Sequence, residues 1–111
     1  MARIPTTHDP FNAVAEPKRR QLLDAIGANE LSVNEVVKLL GWPQPMVSKH
    51  LGVLKQVGLV NERRVGRKRM YRVNAVRLKP ILDWVTPFER IWSEKFDRLD
   101  EVLKGIQKKE K

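Results

Sequence analysis

The side chains best suited to chemistry lie in one helical segment, residues 44–56. On a helical wheel Val47, Leu51 and Leu54 share one face, which leaves the opposite face to small and polar residues. That outward face carries no carboxylate and holds Gln44, Pro45, Ser48, Lys49 and Gly52. Amide and hydroxyl groups can hydrogen-bond base edges, lysine favours guanine or phosphate, and glycine lets a backbone come close. The pattern therefore favours a surface that binds nucleic acid over a face that is merely solvated.

A dense group of cations follows in residues 59–73, which we expect to form two short strands around a loop at residues 65–68. The hairpin has Glu62 as its single carboxylate, against six cations: Arg63, Arg64, Arg67, Lys68, Arg69 and Arg72. A run of charge is usually a solvated surface. Next to the helix described above, this density favours a clamp on phosphates or on the minor groove. The residues that we assign to the clamp are Arg63, Arg64, Arg67, Lys68 and Arg69.

Two helices are expected upstream of the polar segment. A short helix near residues 11–15 ends at Glu16-Pro17, and a second helix runs from there to about Gly27. Pro17 suits the first turn of this helix, where backbone N–H groups lack partners in any case. The cations that follow it are Lys18, Arg19 and Arg20. Two interpretations of these cations stay open, an exposed basic turn and a contact with phosphate.

A third helix is marked by the sequence "SVNE" at residues 32–35, which has the capping-box pattern. Gly41 should end this helix, and Trp42 and Pro43 form a tight turn into the polar segment, with Trp42 as a packing residue. Two short helices joined by such a turn, the second with a polar outward face, form a helix-turn-helix. With the hairpin, they predict a mostly α winged helix-turn-helix with a small β-hairpin wing.

The end of the chain is apolar at helical spacing and is interrupted by two prolines. We expect Pro80 and Pro87 to separate a short helical piece at residues 81–85 from a helix at residues 88–108, roughly 30 Å long. The apolar seam of that helix, with steps of three and four, holds Phe88, Trp92, Phe96, Leu99, Leu103 and Ile106. A small winged domain has little groove to cover so many aromatics. We expect the seam to join two copies of the chain, with packing inside one monomer as the alternative.

Composition limits the class of protein. The 111 residues have a formal net charge of +9 and a pI near 10.3, which indicates a polyanionic partner, with nucleic acid favoured over an anionic membrane surface. No apolar run approaches the roughly 18 residues of a membrane span, and the start of the chain does not resemble a signal peptide, so a cytoplasmic protein is expected. We expect a flexible tail at residues 1–8, a DNA-binding domain at residues 9–76 and dimerisation helices at residues 77–111.

Catalysis and metal binding find little support in the sequence. There is no glycine-rich phosphate loop and no nucleophile paired with a histidine base, so an enzyme is the least expected class. The chain has no cysteine, which excludes disulfides and thiolate metal sites, and its only histidines are His8 and His50. We expect no metal and no cofactor. For His50, at the border of the core, a structural role is favoured over a DNA contact.

The stretch "SKHLGVLKQVGLV" followed by "RRVGRKRMYRV" resembles the ArsR family of bacterial winged-helix repressors. Upstream, "FNAVAEPKRRQLLDAI" and "ELSVNEVVKLLG" resemble the family's opening helices, so the resemblance covers roughly residues 9–75. The terminal segment resembles the subgroup without metal-binding cysteines. The resemblance implies a homodimeric repressor of a palindromic operator, often at its own promoter. The residues that it implies for DNA contact are Gln44, Pro45, Ser48, Lys49 and the wing arginines.

Three features depart from the family pattern. Pro43 stands where a Ser or Thr commonly caps the recognition helix, which removes a contribution of about 1 kcal/mol. Glu16 replaces a shorter Asp before the second helix, and the cysteine motif of the metal-sensing members is absent. Neither an inducer nor an operator sequence can be deduced from these residues.

Two other functions fit parts of the sequence. A nonspecific or architectural nucleic-acid-binding module would account for the charge and would bind operator and random duplex alike. A protein-interaction module would use the terminal seam to recruit a different chain, and it would be a monomer by itself.

Overall fold

A computed structural model describes the backbone of residues 9–109 and the side chains of residues 9–106. The expected tail at residues 1–8 lies outside the described residues. The elements in chain order are α1 (Pro10–Ala15), α2 (Pro17–Ile26), β1 (Glu30–Ser32), α3 (Val33–Leu40), α4 (Gln44–Gln56), β2 (Val60–Val65), β3 (Lys68–Val73), a 3₁₀ turn (Ala75–Leu78) and α5 (Lys79–Lys109). The chain divides after Pro80 into two compact units.

The core of the N-terminal unit is formed by one face of each helix and by the inner face of the sheet. Its largest fully buried side chains are Leu22, Ile26, Val36, Val47, Leu51, Leu54, Leu59 and Val60. These residues come from α2, α3, α4 and the start of the wing, at the spacing that an amphipathic helix requires. The helix-turn-helix pair, α3 and α4, is therefore held by the same core that anchors the hairpin.

The sheet has three antiparallel strands in the order β1-β3-β2. The hairpin is confirmed, with Val60 opposite Val73 and Val65 opposite Lys68. A third strand that was not predicted joins the hairpin, because Leu31 of β1 pairs with Tyr71 of β3. A three-residue strand is too short to show the alternation by which strands are detected in a sequence.

The start of α3 is the predicted capping box. The Glu35 backbone N–H donates to the Ser32 hydroxyl oxygen at 3.2 Å, and the Ser32 N–H donates to the Glu35 carboxylate at 3.1 Å. Gly41 ends the helix in the left-handed conformation, at φ +68°. Glu16, although longer than Asp, still caps α2, since its carboxylate accepts from the Lys18 N–H at 3.2 Å. The start of α4 at Pro43 has no side-chain cap.

The prediction of two helices separated by Pro87 was wrong. One helix, α5, runs from Lys79 to Lys109 with Pro87 inside it, and its 31 residues correspond to about 46 Å. Pro80 lies in the first turn, where its missing N–H costs no intrahelical bond. Pro87 removes only one backbone donor, and the hydroxyl of Thr86 donates to the carbonyl oxygen of Leu82 at 2.6 Å. The backbone bonds on either side suffice to continue the helix.

Candidate nucleic-acid interface

A surface groove runs between the wing and the start of the helix-turn-helix. Its lining residues are Ser32, Val33, Asn34, Gln44, Arg67, Lys68 and Arg69. Four of them, Gln44 and the three cations, were predicted from the sequence to contact nucleic acid. The residues at the start of α3 were not assigned, because the pairing of β1 with β3 that positions them joins distant parts of the chain. The groove therefore combines an amide side chain, which is able to hydrogen-bond a base edge, with three positive charges.

The recognition helix α4 presents the predicted polar face. Val47, Leu51 and Leu54 are fully buried, which fixes the rotation of the helix. The four assigned residues on its other side are all exposed: Gln44, Pro45, Ser48 and Lys49. The polar side chains of this set make no hydrogen bond or ion pair with another described residue. Their donors and acceptors are available to a ligand.

The wing tip is a two-residue turn at Gly66 and Arg67. Gly66 has φ +62° and no other residue of the turn has a positive φ, as in a type II′ hairpin turn with glycine in its first central position. This turn holds the strands so that the assigned cations at the tip are exposed: Arg64, Arg67, Lys68 and Arg69. Four positive charges within six residues create a local field that attracts phosphates.

Arg63 is the assigned cation most firmly held by a partner inside the protein, whereas Arg69 makes only a longer ion pair. Its guanidinium donates two hydrogen bonds of 2.7 Å to the carboxylate of Glu30 on β1. The pair lowers the pKa of the Glu30 carboxyl, with the hydrogen bond from Arg63 as the main cause. Arg63 thus ties the wing to β1, and a contact between Arg63 and DNA would have to share or break this pair.

Glu62 joins the recognition helix to the wing. Its carboxylate accepts a hydrogen bond from the Tyr71 hydroxyl at 2.9 Å and forms an ion pair with Lys55 at 3.2 Å, while the Arg69 Nε lies 3.8 Å away. The hydrogen bond from Tyr71 is the main reason that the pKa of Glu62 lies below its ordinary value. Lys55, in the last turn of α4, is part of this junction.

The cations at the start of α2 have partners inside the protein. Arg19 donates from Nε to the carbonyl oxygen of Ala13 at 2.7 Å, and Arg20 donates to that of Val14 at 2.6 Å. Cationic side chains commonly satisfy the last carbonyls of a helix in this way, here those of α1. The Lys18 ammonium lies 4.8 Å from the ring centroid of Trp42, a cation–π contact. These contacts favour the non-DNA interpretation of all three residues.

His50 lies at the border of the core, as expected. Its Nδ1 is buried and has no hydrogen-bond partner within residues 9–106. Burial is the main cause of a pKa below the ordinary histidine value, and the nearby Arg19 adds to the effect. A neutral imidazole on the inner side of α4 fits a structural role.

The C-terminal unit presents an apolar seam along α5. The six residues predicted for dimerisation are between 41% and 62% exposed: Phe88, Trp92, Phe96, Leu99, Leu103 and Ile106. The Phe88 ring meets Trp84 edge-on, with 5.7 Å between centroids. A continuous row of exposed aromatic and aliphatic side chains is typical of a protein–protein contact surface.

Within residues 9–106, histidine and acidic side chains do not gather in groups of three or more that could hold a metal ion. None of the described helices combines the length and the apolar character needed to cross a membrane.

The sequence has recognisable relatives. The model of a helix-turn-helix domain matches residues 14–63. A protein of Streptomyces lividans named "Probable mercury resistance operon repressor" is 37% identical over 86 residues, which cover 73% of this chain and 69% of the relative. The transcriptional activator HlyU of Vibrio cholerae is 34% identical over 73 residues, covering 66% of this chain and 68% of the relative.

The fold also has solved counterparts. The crystal structure of a "Possible transcriptional regulator for arsenical resistance" superposes with a TM-score of 0.64 at 31% identity, over 78% of this chain and 95% of that one. A helix-turn-helix with a polar recognition face and a basic wing defines the chain as a winged-helix DNA-binding protein. The chain belongs to the ArsR family of winged helix-turn-helix transcriptional regulators, and it is a DNA-binding regulator of transcription.

Proposed function

We propose that this regulator is a homodimeric repressor that binds an inverted-repeat operator. In this proposal Gln44, Pro45, Ser48 and Lys49 approach base edges in the major groove, and the wing cations hold the backbone. The observation that carries the proposal is the groove that Gln44, Arg67, Lys68 and Arg69 line together. Base contacts give sequence discrimination, whereas phosphate contacts give affinity that falls as salt rises.

The exposed seam of α5 supports a dimer. Six large apolar side chains in a row are costly to leave in water, and a second copy of the same helix would cover them with matching spacing. A homodimer also provides two recognition helices, which must be about 34 Å apart to enter successive major grooves. Two-fold symmetry in the protein then requires two-fold symmetry in the operator.

Repression is favoured over activation by the relatives. The Streptomyces lividans protein, named a repressor, has the higher identity, 37% against 34% for the Vibrio cholerae activator. We propose that the regulator acts in the cytoplasm, since it must reach the chromosome, and that it needs no metal or cofactor to bind DNA. The alternative of a nonspecific binder is supported by the net charge alone, which does not account for the carboxylate-free face of α4.

Selection of bound duplexes from a random or genomic library, with binding of the winners measured by fluorescence anisotropy, tests the proposal. We expect an enriched inverted repeat with half-sites about one helical turn apart. Selection that enriches no sequence, with binding that only fades as salt rises, would support the nonspecific binder instead.

A further inference from the structure

Glu62 places a negative charge in the basic wing, a surface that is proposed to face phosphates. Residues 60–73 hold six cations and Glu62 as their only acid. A negative charge beside phosphates weakens binding by repulsion, so electrostatics alone would favour its loss. The position of Glu62 therefore calls for a reason other than charge complementarity with DNA.

The contacts of Glu62 supply such a reason. Its side chain is 18% exposed and lies on the inner face of the wing, opposite the buried Tyr71 in the strand register. It accepts from the Tyr71 hydroxyl on β3 and pairs with Lys55 in the last turn of α4. One carboxylate thus connects the recognition helix with both strands of the wing.

Rigid connection of these elements matters for recognition. Base contacts from α4 and phosphate contacts from the wing can form together only if the two elements keep a fixed angle. Hydrogen bonds to an ionised group are shorter and stronger than neutral ones, so a carboxylate holds this angle more firmly than an amide would. The Glu62 side chain is 18% exposed while Lys55 is 53% exposed, so the hydrogen bond from Tyr71 is the better shielded of its two contacts.

We propose that Glu62 is a positioning residue for DNA recognition, which fixes the wing against the C-terminal end of α4 so that bases and phosphates are engaged in one register. The inference rests on the proposed function, because it requires that α4 reads bases and the wing holds phosphates. Glu62 itself does not touch DNA in this account. Its effect is on discrimination between sequences rather than on overall affinity.

The test compares Glu62→Gln with wild type on the selected operator and on a random duplex, by fluorescence anisotropy at two salt concentrations. Glutamine keeps the size and an acceptor for Tyr71 but loses the charge that pairs with Lys55. We expect the ratio of operator to random affinity to fall at least about fivefold, as for the loss of a base contact, while random-duplex affinity stays level or rises. Asp24→Asn, on the exposed side of α2, makes the same charge change and should leave the ratio intact.

The outcomes separate the two levels of the proposal. If Glu62→Gln binds both duplexes more tightly and keeps the ratio, Glu62 only repels phosphates and the positioning role is overturned. A wild-type protein that does not discriminate operator from random DNA contradicts the proposed function, and the positioning role with it. Should Glu62→Gln fail to fold by circular dichroism, Tyr71→Phe and Lys55→Gln remove its partners one at a time, and an unchanged ratio in both overturns the inference.

Discussion

Individual residues in the interface fall into two groups, those with partners inside the protein and those without. Lys49 is exposed, lacks a hydrogen bond or ion pair among the described residues, and faces away from the core. Arg63, in contrast, is held by Glu30 through two hydrogen bonds. Residues of the first kind are free to select a ligand, whereas those of the second kind are expected to shape the surface.

Lys49→Ala should lower sequence specificity. A good base contact contributes about 1–3 kcal/mol of discrimination, and the loss should appear with the operator and not with random duplex. Lys38→Ala, an exposed lysine on α3, removes the same charge and serves as the control. An equal loss of affinity on both duplexes would assign Lys49 to phosphates rather than bases.

The capping box predicts a pH effect on stability. The pKa of Glu35 lies below its ordinary value of 4.5, mainly because the Ser32 backbone N–H donates to it. A carboxyl with a lower pKa in the folded state adds stability above pH 4.5 that is lost as the pH falls through its folded value. Glu35→Gln keeps the cap but does not titrate. When the pH is lowered from about 5 to about 3, the thermal midpoint of this variant should therefore fall less than that of wild type. Identical acid dependence of the two proteins would contradict this explanation.

At the scale of elements, the sequence predicted the features that depend on residues close together in the chain. The capping box, Gly41 and the wheel of α4 predicted α3, its end and the rotation of the recognition helix. The strand β1 was missed because its pairing with β3 joins residues 40 positions apart, as in Leu31 with Tyr71. The ion pair of Glu62 with Lys55 and the groove at Asn34 depend on the same folded arrangement and could not be deduced from spacing.

The continuous helix α5 gives a prediction about proline. A proline inside a helix is about 3 kcal/mol less favourable than alanine, so Pro87→Ala should raise the free energy of unfolding by an amount of that order and the thermal midpoint with it. Pro80→Ala, in the first turn, should have little effect and is the matched control. Thermal unfolding followed by circular dichroism measures the two midpoints. Equal changes in midpoint for the two variants would show that Pro87 does not destabilise the helix.

The wing as an element should contribute affinity rather than specificity. Paired loss of Arg67 and Arg69 should weaken binding to operator and random duplex alike, and should reduce the salt slope by about two if each side chain holds one phosphate. Binding isotherms across a salt series measure both quantities. A loss of specificity as large as that of Lys49→Ala would contradict the proposed division between helix and wing.

The whole molecule is expected to work as two copies joined through α5. Replacing Phe96 and Leu103 together by alanine should lower the mass measured by light scattering from dimer to monomer at micromolar concentration, since each buried side chain contributes about 2–5 kcal/mol. The control replaces Glu94 and Glu101 by alanine. These residues lie on the opposite side of the helix, so this variant should remain a dimer. A dimer that survives the loss of Phe96 and Leu103 would move the interface away from the seam.

The most direct test of a homodimer that reads an inverted repeat is to change the spacing between the two half-sites of the operator. Affinity is measured by fluorescence anisotropy for the selected operator and for the same duplex with five base pairs inserted between its half-sites. The insertion rotates one half-site by about half a helical turn relative to the other. The homodimer should lose its preference over random duplex. Unchanged affinity for the lengthened duplex would contradict the account, since it would show that each half-site is bound independently.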